Sequence, residues 1–231
     1  MQEQRTRPIV SRRDRPAKAP LSRDVIVETG LALLTREGLE GLTLRKIATA
    51  LDTGPASLYV YVANLEELQA LVLDRAFADM VWPTDAGASW EQKVKALLTA
   101  SFRTLYACPG LARLALSMIP AGHNSMLLTE ELLGLLLEGG LSEASAAWAV
   151  DLLSLYITAI AAEQDFRRGR GDVLEPVIEA FKQADPERFP HIHALRPHLM
   201  SGDQSRFDWA LDVLLAGLKA GAPPSGHVES P

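Results

Sequence analysis

The sequence predicts an all-α fold, and three observations support this prediction. Apolar residues recur at spacings of three and four over most of the chain, and residues that commonly cap helices precede many of these segments. We find neither an alternating apolar–polar pattern of strand length nor an internal repeat. Hydrophobic residues make up 48% of the 231 residues and aromatic residues 6%, which suits a helical protein rich in Leu and Ala.

The N-terminal segment differs from everything that follows it. Residues 1–20 contain six basic side chains and three prolines, and a segment of this composition cannot bury a core. We therefore expect a disordered basic arm over residues 1–21. Such an arm either follows DNA phosphates or the minor groove, or it only solubilises the protein.

Two predicted helices come next. Ser22 is a suitable N-cap for the first helix, which ends at about Glu37. Thr43 caps the second helix. Its apolar residues follow the i, i+3, i+4, i+7 spacing of one helix face: Leu44, Ile47, Ala48 and Leu51.

A tight turn separates the second helix from a short third one. Asp52, Thr53 and Gly54 break the helix, and we expect Gly54 to supply a backbone geometry that other residues resist. Pro55 follows, where its fixed φ suits the first turn of a helix. Leu58 is expected to face inward in this third helix. The residues left to face outward are Ala56, Ser57, Tyr59 and Tyr61.

This order of helix, turn and short helix is the pattern of a helix-turn-helix, which lays its second helix in the major groove of DNA. The two tyrosines are either half-buried packing residues or contacts to phosphates and base edges. The charge distribution favours the second interpretation. Residues 1–63 hold 10 Lys and Arg against 7 Asp and Glu, whereas residues 64–231 hold 13 against 22, although the whole chain carries −6.

Helices are predicted for most of the remaining chain as well. They cover about residues 65–80, 89–109, 111–118, 125–138, 142–168, 173–183 and 205–219. Residues 184–204 contain three prolines and a glycine, so this segment is predicted to be a loop. Residues 221–231 are predicted to form a tail.

Two of these helices, 142–168 and 205–219, are apolar over more than one face. A helix of this kind must be covered on nearly all sides. We therefore expect a homodimer that joins the two helices in a four-helix bundle across a two-fold axis; central helices of a monomeric core are the alternative. A dimer would also present two short helices one DNA turn apart, roughly 34 Å, as a palindromic site requires.

A family resemblance is carried by two segments, REGLEGLTLRKIATAL (Arg36–Leu51) and SLYVYVANLEEL (Ser57–Leu68). They resemble the tetracycline-repressor (TetR) family of bacterial transcription regulators, and look closest to the tetracycline repressor's own branch. The resemblance implies a helix-turn-helix DNA-binding domain over residues 22–63 and a helical ligand-binding and dimerisation domain over residues 64–220. It further implies a cytoplasmic, ligand-responsive repressor that binds double-stranded DNA at a palindromic operator as a homodimer.

The resemblance also implies a role for each matching position. Arg45 aligns with an arginine that reads a guanine, and Pro55 and Ala56 align with positions that touch base edges. Leu65 departs from the family, which usually has a lysine here that contacts a phosphate; either this contact is missing or the basic arm replaces it. The implied DNA contacts, which we call the reading surface, are Thr43, Arg45, Pro55, Ala56, Ser57, Tyr59 and Tyr61.

A pocket for an unknown small-molecule effector is implied by the resemblance too. A mostly apolar molecule with one or two polar groups is the expected ligand. Ordinary core packing is the alternative for every candidate residue. The candidates are Phe102, Tyr106, Met118, His123, Trp148, Tyr156 and Glu163.

Other functions find little support in the sequence. There is no nucleophile–base arrangement, phosphate-binding glycine loop or metal-ligand spacing, so we expect neither an enzyme nor a cofactor. His191, His193 and His198 have no cysteine or tight carboxylate cluster nearby, and we predict no metal site there.

Cys108 is the single cysteine; it excludes an intrachain disulfide, fits a reducing cytoplasm and is expected to be buried. No run of about 18 apolar residues is apparent, so no membrane helix is expected. The N-terminus lacks the apolar region of a signal peptide.

The alternative function is a helical small-molecule- or partner-binding protein without specific DNA binding, which Leu65 and the acidic net charge favour.

Overall fold

The computed structural model describes residues 20–168, 170, 174–200 and 204–221. The described chain is all-α, as predicted, apart from its turns and a single 3-10 turn at Leu39–Gly41. Residues 1–19 and 222–231, which hold nearly all of the predicted arm and tail, lie outside the described residues. The helices are α1 (Arg23–Glu37), α2 (Leu44–Ala50), α3 (Pro55–Leu58), α4 (Leu65–Ala78), α5 (Trp90–Ala107), α6 (Leu111–Leu116), α7 (His123–Glu138), α8 (Glu143–Arg167), α9 (Glu175–Lys182), α10 (Pro190–Met200) and α11 (Gln204–Ala220).

The predicted helix caps are present. Side-chain oxygens of Ser22, Thr43 and Asn64 each accept a hydrogen bond from the backbone N–H three residues later, at 3.2, 3.2 and 2.8 Å. Ser89 forms a complete capping box with Gln92 at the start of α5. These bonds satisfy N–H groups that have no partner within the helix, and they explain why these four helices begin where the sequence predicts.

Two local predictions are wrong. The segment 184–204 is not a loop throughout, because α10 occupies most of it. Pro190 lies in the first turn of α10, where proline needs no N–H partner, and Pro197 removes one bond from a helix that continues past it.

The prediction that Gly54 supplies the special backbone geometry of the turn is also wrong. Gly54 has an ordinary extended backbone (φ −81°), whereas Asp52 adopts a positive φ of 48°. Aspartate tolerates this conformation because its short polar side chain can bond locally.

Helix α8 lies at the centre of the body and packs mainly against α5, α6 and α7. Its buried stripe is rich in small side chains, which let neighbouring helices approach closely: Ala146, Ala149, Leu153, Ile157 and Ala161.

Contrary to the expectation from the sequence, α8 is long and apolar enough to cross a membrane, by length and composition alone. Only 33% of that apolar window is buried, and core helices of soluble proteins meet the same criterion. We interpret α8 as a core helix whose second apolar face needs a cover.

Asp74 fastens α4 to the body by capping α7. One carboxylate oxygen accepts the backbone N–H of Ser125 at 2.9 Å, and the other accepts the side-chain amide of Asn124 at 2.9 Å. Gly122, which precedes α7, provides no side-chain cap, and a Cβ there would lie only 2.2 Å from the Asp74 side chain. The cap of α7 is therefore supplied by α4, the helix that follows the helix-turn-helix.

The turn between α5 and α6 packs against the 3-10 turn after α1. Gly110 has a φ of +86°, and a Cβ at this position would lie 2.9 Å from the side chain of Leu39. On the same side, the hydroxyl of Thr35 lies 3.3 Å from the sulfur of Cys108. Burial raises the pKa of the Cys108 thiol, so the thiol stays protonated. Cys108 therefore serves as a small buried packing residue, as the sequence predicts.

A buried carboxylate holds this turn in place. Asp165 of α8 is 8% exposed, and its Oδ2 accepts the backbone N–H of Gly110 at 2.9 Å. The Nε of Arg113 lies 3.4 Å from the same oxygen. The charge of Asp165 also lies at the N-terminus of α6, where the helix dipole favours an anion.

Close packing between α1 and α4 depends on Gly30. A Cβ at this position would lie 2.9 Å from Val72 Cγ2 and 3.2 Å from Leu42 Cδ1. We expect Gly30→Ala to lower the free energy of unfolding. Overpacking costs about 1–3 kcal/mol, which outweighs the gain of about 0.5–1 kcal/mol from removing a helical glycine.

The matched control for this prediction is Gly134→Ala. Gly134 is also a helix-interior glycine, but nothing lies within 4 Å of its missing Cβ, so this change should stabilise the protein. Urea unfolding of the two variants at one protein concentration measures both effects. Equal stabilisation by both changes would contradict the packing argument.

Candidate nucleic-acid interface and ligand cavity

The outward face of α2 carries two cationic side chains, one with an ion-pair partner and one without a partner among the described residues. The ammonium of Lys46 lies 2.9 Å from a carboxylate oxygen of Glu37, which also pairs with Arg36, so the charge of Lys46 is partly compensated. Arg45 is exposed, and no side-chain partner for it is found within the described ranges. The guanidinium of Arg45 is therefore available for a base edge or a phosphate.

Helix α3 is shorter than predicted, and this changes which side chains face outward. It ends at Leu58, and residues 59–61 form a turn. Ala56, Ser57 and Tyr59 are exposed, with Tyr59 at 56%. The outward orientation predicted for Tyr61 is wrong in part, because this side chain is half-buried against the core. Since the helix ends early, Val60 faces outward instead and is 80% exposed.

The remaining reading-surface positions frame this exposed patch. Pro55 is exposed at the first position of α3, as predicted. Thr43 is half-buried, and its oxygen caps α2 while its proton can still be donated to an acceptor. Leu65 packs partly buried against the core, so this position serves packing and offers no charge to a phosphate.

A cavity of about 270 Å³ lies among the helices α4 to α8 and the segment that follows α6; we call it the central cavity. Of the seven predicted ligand residues, only Met118 lines it. Sequence reasoning missed the other lining residues because most of them are leucines and small hydroxyl residues at ordinary core spacing. The lining side chains that matter below are Ser101, Ser125, Thr129, Asp151, Ser154 and Thr158.

Three of the other candidates belong to a half-buried aromatic cluster. The rings of Phe102 and Tyr106 stack with centroids 5.7 Å apart. Phe207 of α11 lies 5.4 Å from Phe102 and 6.3 Å from Tyr156. Burial raises the pKa of the Tyr156 hydroxyl. The cluster joins α5, α8 and α11, which corresponds to the packing alternative for these residues.

The last three candidates are exposed and do not line the central cavity. His123 is the first residue of α7. Glu163 is paired with Arg167 at 2.5 Å on the surface of α8. Trp148 lines a separate groove between α8 and α11.

This α8–α11 groove has a volume of about 300 Å³ and a mainly apolar lining. Trp148 is 55% exposed in it, and Trp209 of α11 is 67% exposed. Large exposed aromatic side chains on two neighbouring helices are typical of a surface that another protein covers. Its principal lining residues are Ser145, Trp148, Leu152, Val213, Leu214 and Leu218.

A larger cleft of about 480 Å³ lies at the surface beside the segment 82–88. Its lining contains Asp85, Glu131 and Glu138, and the last of these is paired with Lys93 at 2.9 Å. The central cavity is the better candidate for a ligand, because apolar helix faces form most of its wall.

The three histidines considered for a metal site all lie on α10. Within the part of the chain that the structure describes, no group of three His, Cys, Asp or Glu side chains could hold a metal ion.

Comparisons with known proteins agree on one family. A sequence profile described as "Tetracyclin repressor-like, C-terminal domain" matches residues 82–221. Among curated proteins, an HTH-type transcriptional regulator of Saccharopolyspora erythraea is 28% identical over 89% of this chain and 87% of its own length. The HTH-type transcriptional repressor DrrR1 of Streptomyces coeruleorubidus is 28% identical over 89% of this chain and 81% of its own length.

Among solved structures, the TetR-family protein ActR of Streptomyces coelicolor is similar over nearly its whole length. Its apo form is 37% identical, covers 88% of this chain and 98% of its own, and gives a TM-score of 0.81. A structure of ActR in complex with actinorhodin covers 88% of this chain and 99% of its own, with the same identity and TM-score.

Proposed function

The chain belongs to the tetracycline-repressor family of transcriptional regulators, and from this premise we propose that it binds a palindromic operator as a homodimer and releases it when a small molecule occupies the central cavity. The proposed DNA-binding domain spans residues 22–63, and the proposed effector and dimerisation domain spans residues 64–220. The expected role is that of a cytoplasmic repressor without catalytic activity or cofactor.

The exposed face of α2 and α3 is the observation that carries DNA binding. Arg45 is exposed without a partner inside the described regions, and the neighbouring α3 presents side chains small enough for a groove to approach, together with Tyr59. Arginine binds guanine through two parallel hydrogen bonds, while hydroxyl groups suit phosphates. The other members of the reading surface lie around this face. Tyr61 exposes only part of its side chain there.

The α8–α11 groove supports the proposed homodimer. A second copy related by a two-fold axis would cover the exposed Trp148 and Trp209 with the same apolar surface. Two α3 helices would then be held at a fixed spacing, which a palindromic operator requires.

The proposed effector response follows from the position of the central cavity, because α4 forms part of its wall. Phe77 of α4 lines this cavity, and so does Ser125 of α7, which Asp74 binds from α4. A molecule that shifts α7 relative to α4 would therefore displace the helix that follows the reading surface. The effector then favours a dimer shape that no longer matches the operator, and DNA weakens effector binding by the same factor.

A binding selection of the purified protein on random duplex DNA tests the proposed function. We expect a palindromic site whose affinity falls steeply with salt. Failure to enrich any duplex, even at low salt, would favour a helical small-molecule- or partner-binding protein without specific DNA binding.

Arg45→Ala tests the reading surface on the selected site. We expect operator affinity to fall by about 1–3 kcal/mol and specificity to relax at one position of each half-site. Fluorescence anisotropy with single-base variants of the operator measures both effects. Arg103→Ala, which removes an exposed arginine from α5, is the matched control and should bind as the unchanged protein does. A loss that is equal for all duplexes would assign Arg45 to a phosphate instead.

A further inference from the structure

The polar groups of the central cavity are almost all hydrogen-bond acceptors. Four of its five hydroxyl groups already donate their single proton to a protein oxygen, so they offer only lone pairs to a ligand. The donors and their acceptors are Ser101 to the Leu97 carbonyl (2.9 Å), Ser125 to the Asp74 carboxylate (3.2 Å), Thr129 to the Ser125 carbonyl (3.0 Å) and Thr158 to the Ser154 carbonyl (2.8 Å).

Asp151 is the one charged side chain in the cavity lining, which contains no Lys, Arg or His. It lies on α8 and is exposed, so it stands where the cavity meets solvent. Among the residues that the structure describes, the Asp151 carboxylate takes part in no ion pair or hydrogen bond. A ligand carboxylate in this cavity would lose hydration and meet no compensating cation, whereas an ammonium group would find an anion.

The remainder of the wall is apolar and determines what the rest of the ligand must be. Leu98, Leu105, Leu128, Leu132 and Ile157 contribute aliphatic surface on several sides. A volume of about 270 Å³ lies just below the usual range for ligand pockets, which begins at about 300 Å³. The cavity therefore suits a compact hydrophobic skeleton.

We propose that the effector of this protein is a compact apolar amine, whose ammonium group binds Asp151 while its skeleton fills the aliphatic part of the cavity. This inference rests on the proposed function in one respect, namely that the central cavity is the effector site. It goes further by excluding carboxylic acids as preferred effectors.

Three probes with one skeleton test the inference: 1-naphthylmethylamine, 1-naphthylmethanol and 1-naphthoic acid. Their binding to the purified full chain at pH 7 is measured by isothermal titration calorimetry. We expect the amine to bind about fivefold more tightly than the alcohol, because an ion pair with an exposed carboxylate contributes up to about 1 kcal/mol. The acid should bind most weakly. An acid that binds as tightly as the amine would overturn the inference.

Two variants locate the effect. Asp151→Asn should reduce amine binding to the level of the alcohol and leave alcohol binding unchanged. Glu143→Gln, which removes an exposed carboxylate from the first turn of the same helix, is the charge-matched control and should preserve the preference for the amine. A preference that survives Asp151→Asn would overturn the role of this residue and the inference with it.

Ser154→Phe separates failure of the inference from failure of the proposed effector site. Ser154 is an exposed lining residue, so the larger side chain can fill the cavity without disturbing the core. Weaker binding of all three probes supports the cavity as their site. If that loss occurs without any preference for the amine, the cavity remains the effector site and the amine inference is wrong. If no probe binds the unchanged protein, or if Ser154→Phe changes nothing, the cavity is not the effector site, and DNA binding is judged independently by the duplex selection.

Discussion

Trp148→Glu is expected to convert the protein into a monomer and to weaken operator binding by about 100-fold or more. Trp148 contributes one of the largest exposed apolar surfaces of the α8–α11 groove, and the two-fold symmetry of a dimer would use it twice. Large aromatic side chains at the centre of an interface contribute about 2 kcal/mol or more each, and a buried unpaired carboxylate opposes association further. A monomer also loses the effective concentration that links two half-sites, which amounts to about 10²–10⁴-fold.

Sedimentation velocity and fluorescence anisotropy with the selected operator measure the two parts of this prediction. Trp209→Glu on α11 should behave like Trp148→Glu, because the exposed Trp209 lies four residues before Val213 of the groove and helical spacing places both on one face. Val81→Glu is the matched control, because Val81 is 84% exposed but lies outside both helices. A dimer that persists in both tryptophan variants would remove the α8–α11 groove from the interface.

Asp165→Ala is expected to lower the free energy of unfolding by about 2–4 kcal/mol. The change leaves the buried N–H of Gly110 without its acceptor and removes the carboxylate from beside Arg113. An unsatisfied buried donor costs about 1–3 kcal/mol, and losing the pair with Arg113, whose side chain is 48% exposed, adds about 0–1 kcal/mol. Because Gly110 packs against Leu39, the loss should extend to the attachment of the helix-turn-helix.

Two comparisons in urea unfolding identify the cause. Asp165→Asn keeps an acceptor for Gly110 and should cost less than Asp165→Ala. Glu163→Ala removes an acidic residue from the same end of α8, but Glu163 forms only an exposed pair with Arg167, so its loss should cost no more than about 0.5 kcal/mol. Similar costs for Asp165→Ala and Glu163→Ala would contradict the importance of the buried bond.

The sequence by itself determined the features that depend on residues within one helical turn. Ser22, Thr43, Asn64 and Ser89 mark helix starts because a cap is a bond to a backbone N–H two or three residues away. The apolar face of α2 and the inward side of Leu58 follow from helical periodicity for the same reason. These local patterns were enough to predict the all-α fold and the helix-turn-helix.

Only the tertiary structure decided which groups face one another across helices. Periodicity indicates that a residue faces inward but does not identify its partner, so the sequence left both a pocket and a packed core open for Phe102 and Tyr156. They lie in an aromatic cluster, while the central cavity is lined mainly by leucines and small hydroxyl residues whose spacing looks like ordinary core. The cap that Asp74 supplies to α7 joins residues about 50 positions apart, and such a bond leaves no pattern in either segment.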